Sequence, residues 1–199
     1  MMKLFDKWDI EQVSVKEQAL VPYININPLL VPRTGGRAAE GQRVWTQKTN
    51  IVERLMNKLM IPGHRGKKHK ITSYKLTGKG IKVYNIVKKS FEIIEKETKL
   101  NPIQVFVTAL ENAAPREEVT SIEYGGARYS KAVEVSPLRR IDYALRLMTQ
   151  SAYSKAFNSK KSIERSMAEE IIAAYKMDQQ GSAAIAKKLE LERQADSSR

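Results

Sequence analysis

The chain has 199 residues, 42% hydrophobic and 29% charged, enough for one well-cored domain with extensions. It contains no cysteine, which excludes disulfides, iron–sulfur clusters and thiolate zinc sites, and no stretch reaches the roughly 18 unbroken apolar residues of a membrane span. The net charge of +13 points to a polyanionic partner.

That charge is unevenly placed. Between Arg33 and Lys89 there are 15 basic residues and two acidic ones, Glu40 and Glu53, while the remainder holds 20 of each. Carboxylates that would satisfy a solvated basic face are missing from this third of the chain, so nucleic acid is the expected partner and no membrane is. Lys3, Asp6, Lys7 and Asp9 interrupt the start of the chain, so no signal peptide is expected.

In chain order, residues 1–47 show no sustained helical period. The alternation of Asp9 to Val15 and the prolines at 22, 28 and 32 predict extended pieces and turns, an arm laid over something else. Arg33-Thr34-Gly35-Gly36-Arg37 reads as a basic loop. Residues 48–199 are the expected helical body. Ile51, Leu55 and Leu59, with Val52 and Met56, predict a helix over 49–60 capped by Asn50 and stopped by Pro62-Gly63. Residues 61–79 form a loop holding Arg65, Lys67, Lys68, Lys70, Lys75 and Lys79, expected to order only when a partner neutralises it. A second helix follows over 80–99, with Ile81, Tyr84, Val87, Phe91 and Ile94 as its buried stripe. Asn101-Pro102 opens a third, to about Ala113, with Val105, Phe106, Ala109 and Leu110 inward. Ser136-Pro137 repeats that signal for a helix over 137–157; Ser162 caps one over 163–177, and Gly181 precedes the last, over 182–195.

One segment breaks the helical period. Glu118 to Tyr124 and Ala127 to Val135 alternate at period two around Gly125-Gly126, a hairpin signal. A two-glycine loop pairs Ile122 with Tyr129, Thr120 with Lys131 and Glu123 with Arg128. A lone ribbon is marginal in water, so its base must pack on helices while its tip reaches outward roughly 20 Å. The expected fold is mainly α: a six-helix, bundle-like body with one protruding two-stranded β-hairpin arm, 118–135.

Catalytic chemistry is hard to find. Gly78-Lys79-Gly80 lacks the first glycine and the Ser/Thr of a phosphate-binding loop. His64 and His69, five apart in a basic loop, are poor metal ligands. The pairs Glu117-Glu118 and Glu169-Glu170 point their members apart. No cofactor, no metal and no catalytic residue are expected. The basic residues offer more. Arg139 and Arg140 sit in the first turn of a helix, where cations oppose the dipole unless a phosphate occupies that end. Arg54 and Lys58, one turn apart, are placed opposite the Leu55/Leu59 stripe.

The segment from Asn101-Pro102 to Arg140, with its runs Ala109 to Val119, Tyr124-Gly125-Gly126 and Val133 to Arg140, resembles the universal small-subunit ribosomal protein seven family. Asn50 to Met60, Tyr23 to Pro28 and Ser197-Ser198-Arg199 resemble that family's archaeal and eukaryotic branch. The likeness covers nearly the whole chain. It implies a helical protein with a protruding β-ribbon that binds the 3′ major domain of small-subunit rRNA and helps nucleate assembly of the subunit head. It also implies an approach to exit-site tRNA and the mRNA path, and contact with head and platform proteins including small-subunit protein eleven. Carried over, Gly125, Gly126 and Arg128 form the exit-site arm. The expected rRNA contacts are Arg33, Arg37, Arg43, Lys48, Arg54, Lys58, Arg65, Lys67, Lys68, Lys70, Lys75, Lys79, Lys82, Arg116, Lys131, Arg139 and Arg140. Where relatives commonly read Gly-Lys-Lys, this chain has Gly78-Lys79-Gly80. An architectural DNA-bending protein also joins helices to basic ribbons, but the tip here is glycine and the strands alternate Arg128 and Lys131 with Glu118, Glu123 and Glu134.

Overall fold

The computed structural model describes residues 3–27, 45–62 and 76–199. Six helices and one hairpin follow in order: α1 Ile51–Leu59, α2 Gly80–Thr98, α3 Pro102–Ala113, β1 Glu117–Tyr124, β2 Ala127–Glu134, α4 Pro137–Ala156, α5 Ile163–Tyr175 and α6 Ala183–Asp196. The predicted boundaries agree to within about two residues. The caps explain why: the Asn50 and Asn101 side chains accept from the N–H groups of Val52 and Ile103 at 2.9 and 3.0 Å, and Ser162 and Ser182 cap α5 and α6.

Helix α5 is the axle of the body and packs against α2, α3 and α4, with α6 alongside. Met167, Ala168, Ile171 and Ala174 on it are fully buried, and the alanines let neighbouring helices approach closely. Around them lie Phe91, Ile94, Phe106, Leu110, Ile141, Leu145 and Met148, also fully buried, each contributing roughly 1.5–3 kcal/mol. Glu170, an acidic side chain, has no exposed surface. Its carboxylate accepts from Ser151 Oγ and Lys155 Nζ of α4 at 2.7 and 2.6 Å, and from Ser182 Oγ and the Ala184 N–H at the head of α6 at 2.8 and 3.3 Å. One side chain on α5 thereby fixes two neighbouring helices.

The predicted stripe of α2 needs one correction. Tyr84 packs against the core from a half-buried position and Val87, Phe91 and Ile94 are buried, but Ile81 is 76% exposed; Val83, Ile86 and Ser90 complete the buried face. The first turn of α2 overhangs the start of α5, so Ile81 lines an open groove with Ile163 and Glu164 instead of entering the core.

Residues 3–27 form a strap over the helices, and within it residues 9–17 lie along α3 and run in its direction. Asn101 Nδ2 donates to the Asp9 carbonyl at 2.8 Å, Ser14 exchanges two hydrogen bonds with Gln104 at 2.8 and 3.1 Å, and the N–H groups of Lys16 and Glu17 donate to Glu111 Oε1 at 2.7 and 3.0 Å. Phe5 and Trp8 set their rings against Phe91 with centroids 6.0 and 5.9 Å away, and Leu20 and Ile24 enter the same core. This strap then crosses α1, where the Asn25 carbonyl accepts from the Ile51 N–H at 2.8 Å.

The ribbon has the predicted register, with Glu117 opposite Glu134, Ile122 opposite Tyr129 and Tyr124 opposite Ala127. Gly125 and Gly126 take φ of 58° and 81°, the left-handed pair that a two-residue hairpin turn requires. Its base rests on α6 and is half-buried. The outer half is exposed on both strands, so it projects from the body.

Replacing Glu170 by Ala leaves Ser151 and Ser182 without their acceptor and Lys155 without its counter-charge. It is expected to cost about 2–3 kcal/mol, tempered because Lys155 keeps some solvent, and to lower Tm by roughly 5–10 °C. Glu170→Gln, which keeps an acceptor, should lose less. A thermal melt of Glu170→Ala matching the parent would show that this carboxylate does not tie α4 and α6 together.

Candidate nucleic-acid interface

The two consecutive arginines at the head of α4 part company. Arg139 is exposed over 60% of its side chain and faces Glu118 at the ribbon base, 2.9 Å away. Arg140 is buried: its Nε donates to the Pro115 carbonyl at 2.9 Å and its Nη2 lies 2.7 Å from Glu17 of the strap. The sequence reading assigned both to a phosphate. A helix advances 100° per residue, and here that turns one guanidinium outward and the other into the joint between strap, α4 and the linker from α3 to β1.

Arg54 also differs from its expected place. It is 4% exposed, with Nη1 donating to the Tyr23 carbonyl at 3.0 Å and Nη2 3.3 Å from Asp142. The strap covers the face of α1 that periodicity assigns to solvent, and burial pushes the guanidinium below its usual range while Asp142 opposes the shift. Lys58 keeps 41% of its side chain exposed, 3.7 Å from the same carboxylate.

These residues frame an open cleft of about 370 Å³ between α1 and α4, lined by Lys58, Ser136, Leu138, Arg139, Asp142, Tyr143 and Arg146. Three of them are cations, and the one acid, Asp142, is already engaged by Arg54. Ser136 opens α4 as expected, yet its side chain makes no capping hydrogen bond and no acid sits in the first turn. The first turn of α4 therefore brings no capping side chain or acid of its own to the helix's positive end. Arg146, whose guanidinium lies 4.9 Å over the Tyr143 ring, was not among the expected contacts. The spacing 139, 143, 146 was the available signal.

A second basic groove, about 820 Å³, runs beside the head of α2 and includes Gly78, Lys79, Gly80, Lys82 and Lys89. Gly78 takes φ +73° in the turn that starts this helix. Lys48, Lys79, Lys82 and Lys89 are exposed, and their ammonium groups form no ion pair among the described residues. Arg116 is exposed where β1 leaves the body, beside Lys188, whose ammonium donates to the Asn112 carbonyl at 2.8 Å. Burial draws Lys188 below the usual lysine range, Glu192 opposes this, and Arg116 and Arg140 add to it.

On the ribbon, Lys131 is exposed, and Arg128 reaches Glu123 across the strands at 3.5 Å while keeping 78% of its side chain in solvent. Gly125 and Gly126 form the exposed tip. At the base, Arg199 grips both oxygens of Glu117 at 2.6 and 2.7 Å, holding that carboxylate below its ordinary range. Arg33, Arg37, Arg43, Arg65, Lys67, Lys68, Lys70 and Lys75 lie outside the described residues, as do His64 and His69. Among the described residues there is no cluster of three acids or histidines that fits a metal ion, and no helix long and apolar enough to cross a membrane.

The contrast within the arginine pair gives a direct test. Arg140→Ala leaves the Pro115 carbonyl without its donor and Glu17, which keeps a quarter of its side chain in solvent, without its counter-charge, and should cost about 2–3 kcal/mol. Arg139→Ala, at an exposed ion pair, should cost no more than about 1 kcal/mol. Equal losses in urea unfolding would contradict this division of roles.

A sequence model of the ribosomal protein S7p/S5e family matches residues 33–199. The small ribosomal subunit protein uS7 of Nanoarchaeum equitans (strain Kin4-M) is 52% identical over 198 residues, covering 100% of this chain and 99% of that protein.

Proposed function

Because the chain belongs to the ribosomal protein S7p/S5e family, we propose that it is a structural component of the small-subunit head. In this reading it binds the 3′ major domain of small-subunit rRNA, helps nucleate head assembly, and works on the ribosome in the cytoplasm. It has a scaffolding role, with no catalysis. The observation that carries the reading is the exposed cationic surface formed by Lys48, Lys79, Lys82 and Lys89, which no described carboxylate pairs, together with Arg146 in the α1–α4 cleft, where Lys58 and Arg139 already face Asp142 and Glu118.

The rRNA contacts we propose are Lys48, Lys58, Lys79, Lys82, Arg116, Lys131 and Arg139. Arg54 and Arg140 are positioning residues that hold α1, α4 and the strap in place for them. Arg33, Arg37, Arg43, Arg65, Lys67, Lys68, Lys70 and Lys75 extend the same charge along the chain. The ribbon, with Gly125, Gly126 and Arg128 at its end, is the arm that lies near exit-site tRNA and the mRNA path. Small-subunit protein eleven is its neighbour among the head and platform proteins.

Competition between a structured rRNA fragment and duplex DNA at fixed salt tests the reading: the rRNA should win, and equal affinity would sink it. In the same assay Arg139→Gln should flatten the slope of log K against log salt by about 0.7–0.9, one phosphate contact. An unchanged slope would remove Arg139 from the interface. Shortening the ribbon by Ser121 to Ser130 should leave helix content and rRNA affinity nearly intact while weakening exit-site tRNA occupancy on reconstituted subunits. Loss of helix content would show that the ribbon is part of the core.

A further inference from the structure

The solvent side of α4 carries a row of side chains that continues to the end of the helix. Arg139, Tyr143, Arg146, Gln150, Tyr153 and Phe157 recur at alternating intervals of four and three. At 100° per residue all six fall within about 40° of one line, and at 1.5 Å per residue that line is about 27 Å long.

Its two ends differ in chemistry. At the N-terminal end, Arg139 and Arg146 share the cleft with Lys58, and Arg146 lies over Tyr143. At the C-terminal end, the rings of Tyr153 and Phe157 sit 5.7 Å apart, tilted by 30°. Phe157 leaves 61% of its surface in water and takes no part in the core. Ending the helix does not need its ring. The Phe157 N–H donates to the Tyr153 carbonyl at 2.8 Å, which any residue but proline supplies.

We propose that this row is a track for an unpaired RNA segment, with the cations holding its sugar–phosphate backbone and a splayed-out base lying against the outer face of Phe157. The inference rests on the rRNA-binding reading above and adds to it a stacking site and the kind of RNA it takes. Cations at one end and aromatic rings at the other are what such a strand requires, since every base has a face to stack while its phosphates seek charge. Charge complementarity favours RNA over an apolar protein surface. Burying the row under hydrophobic side chains would strip water from Arg139 and Arg146 without giving Arg146 a counter-charge, whereas a nucleotide supplies phosphate and base together.

The test uses the full chain and a small-subunit rRNA fragment that includes unpaired nucleotides, titrated across a salt series. Phe157→Ala should bind about tenfold more weakly with the salt slope unchanged, because no phosphate contact is lost. Phe157→Tyr, which keeps the ring, should retain affinity. Arg146→Gln should flatten the slope by about 0.7–0.9. The thermal midpoint of Phe157→Ala should equal that of the parent, so weaker binding there reports the ring and not the fold.

Parental affinity in Phe157→Ala overturns the track while leaving the rRNA reading in place, provided the parent still prefers rRNA to duplex DNA. Intact RNA affinity together with failure to join a neighbouring head protein assigns the row to protein docking, and equally overturns it. A parent without preference for rRNA removes the broader reading on which the track depends.

Discussion

Arg140 determines where the functional parts of this molecule stand relative to one another. Its guanidinium donates through Nε to the Pro115 carbonyl in the linker into the ribbon and forms an ion pair with Glu17 of the strap. Three segments far apart in the chain meet at one buried cation. Because Arg139 immediately precedes it on the helix, fixing Arg140 inward fixes Arg139 outward, at the ribbon base and in the cleft. The direction of the ribbon and the placement of the cleft's charge thus share one cause.

The same logic sorts the rest of the positive charge. Arg54, Arg140 and Lys155 are tied to carboxylates or carbonyls within the body, and they organise helices. The exposed lysines around α2, with Lys48 and Lys131, have no such partner among the described residues. Isolated charges of that kind gain little from each other and repel at short range, which costs the folded protein stability on its own. In a ribosomal protein, rRNA phosphates offset repulsion of this kind.

Much of the fold was legible because its signals are local. Asn50, Asn101 and Ser162 mark helix starts by the hydrogen bonds their side chains accept, and a two-glycine turn leaves a hairpin only one register. What escaped depended on distant parts of the chain. Periodicity assigns charged Arg54 to water, but the strap covers it. Consecutive Arg139 and Arg140 look alike until the helix is set against Glu17. Ile81 fits an apolar stripe whose partner helix ends before reaching it. The strap's hold on α3 was not legible either, since its bonds join backbone to Gln104 and Glu111, polar residues without a pattern of their own. The row through Tyr143, Arg146 and Phe157 has a four-and-three spacing in the sequence, but which face of α4 stays in solvent depends on how the helix packs.

The strap's hydrogen bonds span about ninety positions, as from Ser14 to Gln104. During synthesis, residues 3–27 leave the ribosome well before α3 exists to receive them. At roughly 5–20 residues per second, Phe5, Trp8 and Leu20 wait on the order of 5–20 s without the surfaces that later bury them. Closing this long loop must follow formation of the helices it embraces. The joint at Arg140 is consequently a late event in maturation, and the outward placement of Arg139 beside the ribbon is completed only when the earliest-made segment finds its seat.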